Sequence, residues 1–379
     1  MLRYWTAGES HGPALVALVD GFPAGLAIDV SAIDAELARR QGGYGRGGRQ
    51  RLETDSVRFL SGLWHGTTLG SPLALEVVNR DAKLERLEEV ERPRPGHADL
   101  AGAIKHLGGV RAVLERASAR ETAARVAAGA LARQLLSRFG IEVAGWVRSL
   151  GGIELGSREG EIVELRRLRD SSAVYSLWPE RDAEVTELID RVGKEGDTLG
   201  GVVETRVDGL PIGLGTHSQW DRKLDGCLAR AVMAVQAIKG VEIGLGFEAA
   251  ARRGSQVHDP IHYDPALRER HDLGFTRPTN NAGGLEAGMT NGQPLVVRAA
   301  MKPISTLRKP LGSVNLRTKE AEEAAYERSD VCAVSAAAVI VENVVAFEVA
   351  AALVDKFGGD SIEEMEARHE LYLRLARQR

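Results

Sequence analysis

The sequence predicts an α+β fold, and two observations support this class. Short apolar segments that suit strands, such as VVETRVD (202–208) and PLVVRAAM (294–301), alternate with long Ala-rich segments that suit helices. Their order has no regular strand–helix–strand rhythm, and the sequence contains neither G-x-G-x-x-G after a strand nor a Walker motif. We therefore expect an α+β architecture rather than a doubly wound nucleotide-binding sheet.

The amino-terminal segment predicts two strands joined by a turn at GESHG (8–12). GESHG matches the Gly-x-Ser-x-Gly pattern of a hydrolase nucleophile elbow, which requires a helix directly after the serine. Here Pro13 and an apolar run follow, which indicates a second strand that ends in a turn at 21–25. Ser10 and His11 are neighbours and cannot form a nucleophile–base pair by themselves. The sequence therefore disfavours a hydrolase.

Two repeated patterns predict an internal duplication. VDGFPAGL (19–26) recurs as VDGLPIGL (207–214), each after an apolar strand-like run. Two Ala-rich segments, 116–140 and 328–359, both begin with arginine and reach a Phe-Gly pair, whose glycine suits a helix C-terminal cap. The alternative is that D-G-x-P-x-G is simply common turn chemistry.

The domain prediction follows from these repeats and from the lack of a Pro/Ser-rich linker. We expect one domain over 1–379, with halves of about 1–190 and 200–359 related by a pseudo-twofold axis. A charged helix is expected at 360–379.

Composition indicates an ordinary globular chain. Of 379 residues, 44% are hydrophobic and 27% charged, and the formal net charge is −4. Aromatic residues make up 5%, which disfavours a nucleic-acid partner that binds by base stacking. The most apolar stretch (332–353) is interrupted by two glutamates and an asparagine, so a buried helix is expected and no membrane partner. No signal-peptide pattern is present, and a cytoplasmic location is expected.

No metal site is predicted. His258 and His262 are four residues apart, but Pro260 separates them and no further ligand cluster follows. Cys227 and Cys332 lack CxxC spacing, which indicates packing roles in a reducing compartment rather than a disulfide.

An arginine- and glycine-rich segment at 39–55 is a candidate anion-binding site. Glycine-rich backbone lets guanidinium groups converge on an anion, and arginine matches phosphate oxygens in bidentate geometry. The alternative is a solvated basic loop. The arginines of this segment are Arg39, Arg40, Arg46, Arg49 and Arg51.

A rigid turn frames one histidine in RPRPGHADL (92–100). Two prolines and a glycine fix His97 without helical support. Histidine exchanges protons near neutral pH, so His97 is a candidate proton donor or acceptor. A purely structural histidine is the alternative.

The segment RASARETAARVAAG (116–129) predicts a helix with a paired set of arginines. Arg116 and Arg120 are four residues apart and would share a face, while Glu121 would pair with Arg125. Two arginines at this spacing repel each other unless an anion lies between them, which indicates a phosphate site. An exposed helix face is the alternative.

Several motifs in one order make the chain similar to the chorismate synthase family over essentially its whole length. These motifs are GESHGPAL (8–15), RRQGGYGRGGR (39–49), RPRPGHADL (92–100), RASARETAARVAAGA (116–130), AVQAIKGVEIGLG (234–246), NNAGG (280–284), MKPIST (301–306) and ERSDVCAV (327–334).

The resemblance implies the last shared step of aromatic biosynthesis. In this step 5-enolpyruvylshikimate 3-phosphate loses its 3-phosphate and a C6 proton by anti-1,4-elimination, giving chorismate. The reaction is redox-neutral, yet the family requires reduced FMN, and some members contact NADP. The implied fold is a β-α-β sandwich, and the implied assembly is a homotetramer with FMN near subunit contacts.

Catalytic roles follow from the resemblance for five residues. His11 would serve the leaving phosphate, and His97 would manage protonation of the reduced flavin. Asp330 would help to remove the C6 proton, while Ser10 and Ser118 would relay hydrogen bonds.

Binding roles are implied for two further sets. Substrate or NADP anions would be held by Arg40, Arg46, Arg49 and Arg120. FMN would be contacted by Arg116, Ala117, Ser118, Gln236, Ala237, Ala287, Lys302, Pro303, Ile304, Ser305, Thr306 and Arg328.

The sequence also departs from the family pattern at a few positions. Gly108 and Gly109 stand where many relatives have an acidic residue before the arginine, which puts the charge balance around Arg111 in question. Ala117 replaces a common serine, and Ala287 stands where glycine is frequent.

The chain length is accounted for without an added reductase domain, so an external flavin reductase is the expected source of reduced FMN. Two alternative functions remain open. One is a polyanion-binding protein, and the other is a flavin oxidoreductase in which FMN turns over electrons.

Overall fold

The structure is a computed structural model that describes residues 1–47, 54–327 and 330–379. Its α-helices are α1 (Val30–Gln41), α2 (Asp99–His106), α3 (Val110–Ala117), α4 (Thr122–Ser137), α5 (Ile162–Ser171), α6 (Asp182–Glu195), α7 (Leu224–Met233), α8 (Gly254–Val257), α9 (Val334–Phe357) and α10 (Ile362–Ala376). Its strands are β1 (Arg3–Ala7), β2 (Ala14–Asp20), β3 (Val57–Ser61), β4 (Leu63–Trp64), β5 (Thr67–Thr68), β6 (Leu73–Val78), β7 (Glu142–Leu150), β8 (Ile153–Glu154), β9 (Gly201–Asp208), β10 (Ile238–Ile243), β11 (His262–Tyr263), β12 (Phe275–Thr276), β13 (Leu285–Glu286), β14 (Met289–Thr290), β15 (Leu295–Met301), β16 (Gly312–Val314) and β17 (Ala321–Glu323).

Two antiparallel sheets enclose a layer of helices. The first sheet has the order β1-β2-β6-β3, and the second has the order β10-β15-β9-β7-β8. Helix α4 packs against strands of the first sheet, α9 packs against strands of the second, and the two helices pack on each other. The predicted α+β class and the β-α-β sandwich implied by the resemblance are therefore confirmed.

The strand after GESHG is also confirmed. β1 and β2 form an antiparallel pair, and the turn between them carries Ser10 and His11. No helix follows the serine in this described segment, so the geometry of a hydrolase elbow does not arise.

The two sheets have corresponding strand orders. In chain order, β1, β2, β3 and β6 of the first sheet correspond to β7, β9, β10 and β15 of the second, and both sets have the same lateral arrangement. The repeated VDG-x-P segments leave the corresponding strands β2 and β9. This agreement supports the duplication, which stays a prediction. The predicted boundary at 190–200 does not separate the sheets, because β7 already pairs with β9 and the change of sheet falls near residue 140.

Helix α9 is the centre of the core. Within the described chain it is the one helix whose length and composition would suit a membrane span, but 83% of its most apolar stretch is buried in the fold. The predicted buried helix at 332–353 is thus confirmed. Where α9 crosses α4, Gly129 allows close approach, since a Cβ at this position would lie 2.2 Å from the carbonyl oxygen of Asn343.

A buried ionic cluster joins helices α1, α4 and α9. Arg133 Nη1 on α4 lies 2.8 Å from Glu36 Oε1 of α1 and 3.0 Å from the fully buried Glu342 Oε1 of α9. Arg39 of α1 bridges the same two glutamates. Burial alone would raise the pKa of Glu36, but Arg133 and then Arg39 lower it to about 2. The carboxylate therefore stays charged within the fold.

Candidate active site

A cavity of about 590 Å³ lies among the motif segments, within the usual size range of small-molecule sites. Its wall comes from the β1–β2 turn, the RPRPGHADL segment, the end of α3, the chain before β10, the chain after β15 and the start of α9. It contains most of the predicted site residues, namely Ser10, His11, Arg40, Arg46, His97, Ala117, Ser118, Arg120, Gln236, Ala237, Lys302, Pro303, Ile304, Ser305, Thr306 and Asp330.

Four predicted site residues are not among the lining residues described for this cavity. Arg49 and Arg328 lie outside the described residues. Arg116 is exposed and donates hydrogen bonds of 2.9 Å to the carbonyl oxygens of Thr6 and Gly8, so it fastens the strand that leads into GESHG. Ala287 lies in the turn between β13 and β14, with a left-handed φ of 51°.

The predicted shared face of Arg116 and Arg120 is wrong. Helix α3 ends at Ala117, and Ser118 is extended, with ψ at 141°. The Ser118 side chain accepts a hydrogen bond from the backbone N–H of Arg120, which begins a new helical turn before α4. The break turns Arg120 into the interior, whereas the predicted Glu121–Arg125 pair forms at 2.9 Å.

Two buried arginines of the cavity lining pair with a buried aspartate that is not among the lining residues, Asp55. Arg120 Nη1 contacts Asp55 Oδ2 at 2.6 Å, and its Nε donates to Asn79 Oδ1 at 2.8 Å. Arg40 reaches the same aspartate at 3.4 Å and donates to Thr122 Oγ1 at 3.0 Å. Burial lowers the pKa of Arg40 to about 9, with Asp55 opposing the change and Arg120 adding to it. Two buried arginines thus lie against the same carboxylate beside the cavity.

His11 lies against a buried carboxylate that the sequence prediction missed. Its imidazole Nδ1 lies 3.0 Å from Glu115 Oε1, and its backbone N–H donates to Glu115 Oε2 at 2.9 Å. The other ring nitrogen, Nε2, lies 3.7 Å from Asp81 Oδ2. Ser10 and Ser118 meet beside it, with 3.2 Å between their hydroxyl oxygens.

His97 has a corresponding carboxylate partner. Asp99 is fully buried and contacts His97 Nδ1, and it also accepts a 2.8 Å hydrogen bond from Arg94 Nε. Burial would raise the pKa of Asp99, but hydrogen bonds from His97 and Arg94 hold it well below its usual range. Arg94 Nη1 donates to Thr306 at 3.0 Å, which connects this cluster to the 302–306 segment.

Asp330 is held in place at the cavity wall by the glycine-rich segment. Arg46 Nη1 lies 2.9 Å from Asp330 Oδ2, and the backbone N–H of Gly47 donates to Oδ1 at 2.6 Å. These contacts fix the carboxylate and keep a guanidinium beside it. The glycine- and arginine-rich segment is therefore part of the site where it is described, rather than a solvated loop.

Two further groups face the cavity with polar atoms available for a ligand. Gln236 Nε2 donates to Glu121 at 3.0 Å, and its buried Oε1 has no hydrogen-bond partner among the described residues. Lys302 donates to the carbonyl oxygen of Gly96, and burial, with Lys239 nearby, lowers the pKa of its ammonium group.

The cavity lining is rich in cationic side chains. Among the described residues, it includes seven cationic side chains, Arg40, Arg46, Lys83, Arg94, Arg111, Arg120 and Lys302, and three acidic ones, Asp81, Glu327 and Asp330. Carboxylates that are not among the lining residues, those of Asp55, Asp99 and Glu115, pair with four of the arginines. The concentration of guanidinium and ammonium donors, rather than a net charge, suits a ligand with several negative groups. No group of three or more His, Cys, Asp or Glu side chains in residues 1–47, 54–327 and 330–379 could hold a metal ion.

The charge balance around Arg111 is maintained by acids from elsewhere in the chain. Glu89 Oε1 accepts a 2.8 Å hydrogen bond from the backbone N–H of Arg111 at the start of α3. Its Oε2 occupies the space beside Gly109, since a Cβ there would lie 1.9 Å away. The Arg111 guanidinium lies 3.2 Å from Glu327 Oε1 and 3.5 Å from Glu115 Oε1. The absence of an acid at 108–109 thus does not leave Arg111 uncompensated.

The functional residues missed from sequence divide into two kinds. Arg94 and Asp99 stood within the RPRPGHADL motif, and their separation from His97 by two or three residues could have identified them. Glu115, Asp81 and Asp55 are far in sequence from their partners, so no local pattern could have identified them.

Comparison with known proteins identifies the family. The family model for chorismate synthase matches residues 2–354. The chain is 56% identical to the chorismate synthase of Geobacter metallireducens, covering 98% of each chain, and 54% identical to that of Geobacter sulfurreducens, covering 100% of each. A solved crystal structure of chorismate synthase matches with a TM-score of 0.82 at 42% identity, covering 100% of this chain and 99% of the other. The chain therefore belongs to the chorismate synthase family, lyases of the shikimate pathway of aromatic biosynthesis.

Proposed function

We propose that the chain converts 5-enolpyruvylshikimate 3-phosphate to chorismate by redox-neutral anti-1,4-elimination, with reduced FMN bound in the same cavity. The observation that carries this proposal is the concentration of seven cationic side chains around one cavity, counted over the described residues. The substrate brings a phosphate and two carboxylates, and FMN brings a second phosphate. Four anionic groups in one enclosed site require such a lining.

The residues present fit FMN as a cofactor. The buried Gln236 Oε1, which has no protein partner in the described chain, offers an acceptor to an N–H donor of a ligand. The 302–306 segment and Ala117–Ser118 line the same cavity, together with the apolar start of α9. When bound, the reduced flavin supplies electron density that assists departure of phosphate and is recovered as the proton leaves.

The protein's own residues have separate proposed tasks. Arg40 and Arg120 bind anionic groups of the substrate, with NADP phosphate as a second ligand class for the same arginines. His11 delivers a proton to the leaving phosphate, and Asp330, fixed by Arg46 at 2.9 Å, assists removal of the C6 proton. His97, backed by Asp99, holds a proton near the flavin-binding segment.

An anaerobic assay tests this function. Photoreduced FMN and the phosphorylated substrate are mixed with the protein, and chorismate absorbance and phosphate release are followed together. Equal amounts of both products without net oxidation of flavin are expected. Absence of product would refute the proposal, and NADPH consumption equal to substrate conversion would indicate a flavin oxidoreductase instead.

The assembly and setting are also proposed. We expect a cytoplasmic homotetramer supplied with reduced flavin by an external reductase. The resemblance implies a flavin contact at Ala287, and since its turn is not among the lining of its own cavity, that contact would be made to another subunit's site. Light scattering of the purified protein tests the tetramer. Turnover with NADPH and FMN alone would show an intrinsic reductase activity, and RNA binding without flavin binding would support a polyanion binder.

A further inference from the structure

Glu115 contacts the segment that carries His11 through both carboxylate oxygens and its backbone carbonyl. Its Oε2 accepts the backbone N–H of His11 at 2.9 Å, and its Oε1 lies 3.0 Å from the imidazole Nδ1. Its backbone carbonyl accepts the N–H of Ser10 at 3.0 Å. The Glu115 side chain is only 1% exposed, so water does not compete for these contacts. The end of α3 thus holds the β1–β2 turn at its two functional residues.

The protonation of the imidazole follows from these contacts. Burial would raise the pKa of Glu115, but hydrogen bonds and charge from His11, followed by Arg111, bring it below its ordinary value. An ionised carboxylate can only accept hydrogen bonds, so Nδ1 carries a hydrogen in every state of the ring. The nitrogen that gains and loses a proton is therefore Nε2.

Within residues 1–47, 54–327 and 330–379, the structure records one further charged group against the His11 ring, Asp81 beside Nε2. Asp81 Oδ2 lies 3.7 Å from Nε2 and is itself paired with Lys83 Nζ at 2.8 Å. Arg111 lies 3.5 Å from Glu115 Oε1, the oxygen that also contacts Nδ1, and its charge helps to keep that carboxylate ionised. Nε2 thus lies on the cavity side of the ring, where an oxygen of a phosphate ligand can approach and accept its proton.

We infer that Glu115 is a positioning residue that fixes His11 in the Nδ1–H form and thereby makes Nε2 the proton donor to the departing phosphate. This inference rests on the proposed function. His97 Nδ1 also contacts a buried carboxylate, that of Asp99, but Arg94 Nη2 lies 3.0 Å from the same nitrogen, so His11 has the simpler arrangement. The proton passes from Nε2 to a phosphate oxygen, which leaves a neutral ring that still donates through Nδ1.

The test is Glu115→Gln, which keeps the shape but places an amide donor beside the ring. An N–H next to Nδ1 favours the opposite neutral form, with the hydrogen on Nε2. We expect kcat to fall about 10²- to 10⁴-fold with little change in KM. Nitrogen-15 histidine spectra of the protein should move His11 from the Nδ1–H to the Nε2–H pattern, with the resonance assigned by its loss in His11→Gln.

A matched control is Glu204→Gln. Glu204 is also buried and pairs with Arg298 at 2.7 Å on the second sheet, away from the cavity lining. It should lose stability without a change in kcat or in the His11 signals. If Glu115→Gln behaves like this control, the inference is wrong and Glu115 is only structural.

A second variant, Glu115→Asp, tests the inference if Glu115→Gln fails to fold. It retains the charge, and we expect it to keep the Nδ1–H form of His11 with a smaller loss of kcat. An Nε2–H form in that variant would overturn the inference. If the wild type makes no chorismate, the proposed function fails, while the spectra still report whether Glu115 sets the ring's form.

Discussion

Replacing Gly129 by alanine should separate the two central helices. A Cβ at this position would lie 2.2 Å from the Asn343 carbonyl oxygen and 2.5 Å from its carbonyl carbon, while ordinary contact begins at 3.4 Å. Helices α4 and α9 must therefore move apart by roughly an ångström, and overpacking of this kind costs ~1–3 kcal/mol. Alanine itself favours a helix by ~1 kcal/mol over glycine. The atoms that a Cβ meets at 2.2 and 2.5 Å belong to the backbone of α9, so the cost falls in the upper part of this range, at ~2–3 kcal/mol. After the helix-propensity gain, we expect the free energy of unfolding to fall by about 1–2 kcal/mol.

The matched control is Gly226→Ala on α7. Gly226 is exposed, and the nearest atom to a Cβ there is the Trp220 carbonyl oxygen at 3.8 Å. The same chemical change should therefore stabilise the protein by up to ~1 kcal/mol. Urea unfolding followed by circular dichroism at one protein concentration measures both. The close crossing of α4 and α9 would be refuted if both substitutions changed the free energy of unfolding in the same direction. It would also be refuted if Gly129→Ala were as stable as the wild type.

Two other expectations concern charge and catalysis. Folding lowers the pKa of Glu36 from 4.5 to about 2, so its charge stabilises the fold above pH 4.5, and that stabilisation is lost as pH falls towards 2. Glu36→Gln should therefore flatten the dependence of Tm on pH in this interval. An unchanged slope would contradict the lowered pKa of Glu36. His11→Ala and His97→Ala should each lower turnover in the anaerobic assay by ~10²-fold or more, with little change in Tm. A large fall in Tm, with turnover per folded molecule preserved, would indicate that these histidines are structural.

Local pattern predicted the elements of the fold well. The apolar runs gave β2, β9 and β15, and the alanine-rich apolar stretch gave α9. The boundary between the two predicted halves was harder to place. The repeated segment at 207–214 follows β9, and nothing in it indicates that β7, an earlier strand of the same sheet, precedes β9.

The candidate site was predicted in part. The segments that line the cavity were recognised, but the alanine-rich run around Ser118 concealed a break between α3 and α4, because its flanking residues all favour helix. The carboxylates that orient the site were missed where chain distance separates partners. Glu115 and His11 are 104 residues apart, and only the packing of α3 on the β1–β2 turn brings them together.

The carboxylate of Glu89 that fills the space beside Gly109 couples these two positions. An acidic side chain at 109 would collide with Glu89 and repel it, so the fold accommodates an acid at one of the two positions but not at both. Gly109→Asp should therefore be harmful alone and far less so together with Glu89→Ala, with a coupling energy of roughly 0.5–3 kcal/mol in a double-mutant cycle. Additive effects would contradict this linkage. The carboxylate that accepts the backbone N–H of Arg111 can thus come from either of two distant places in the chain while the start of α3 stays where it is.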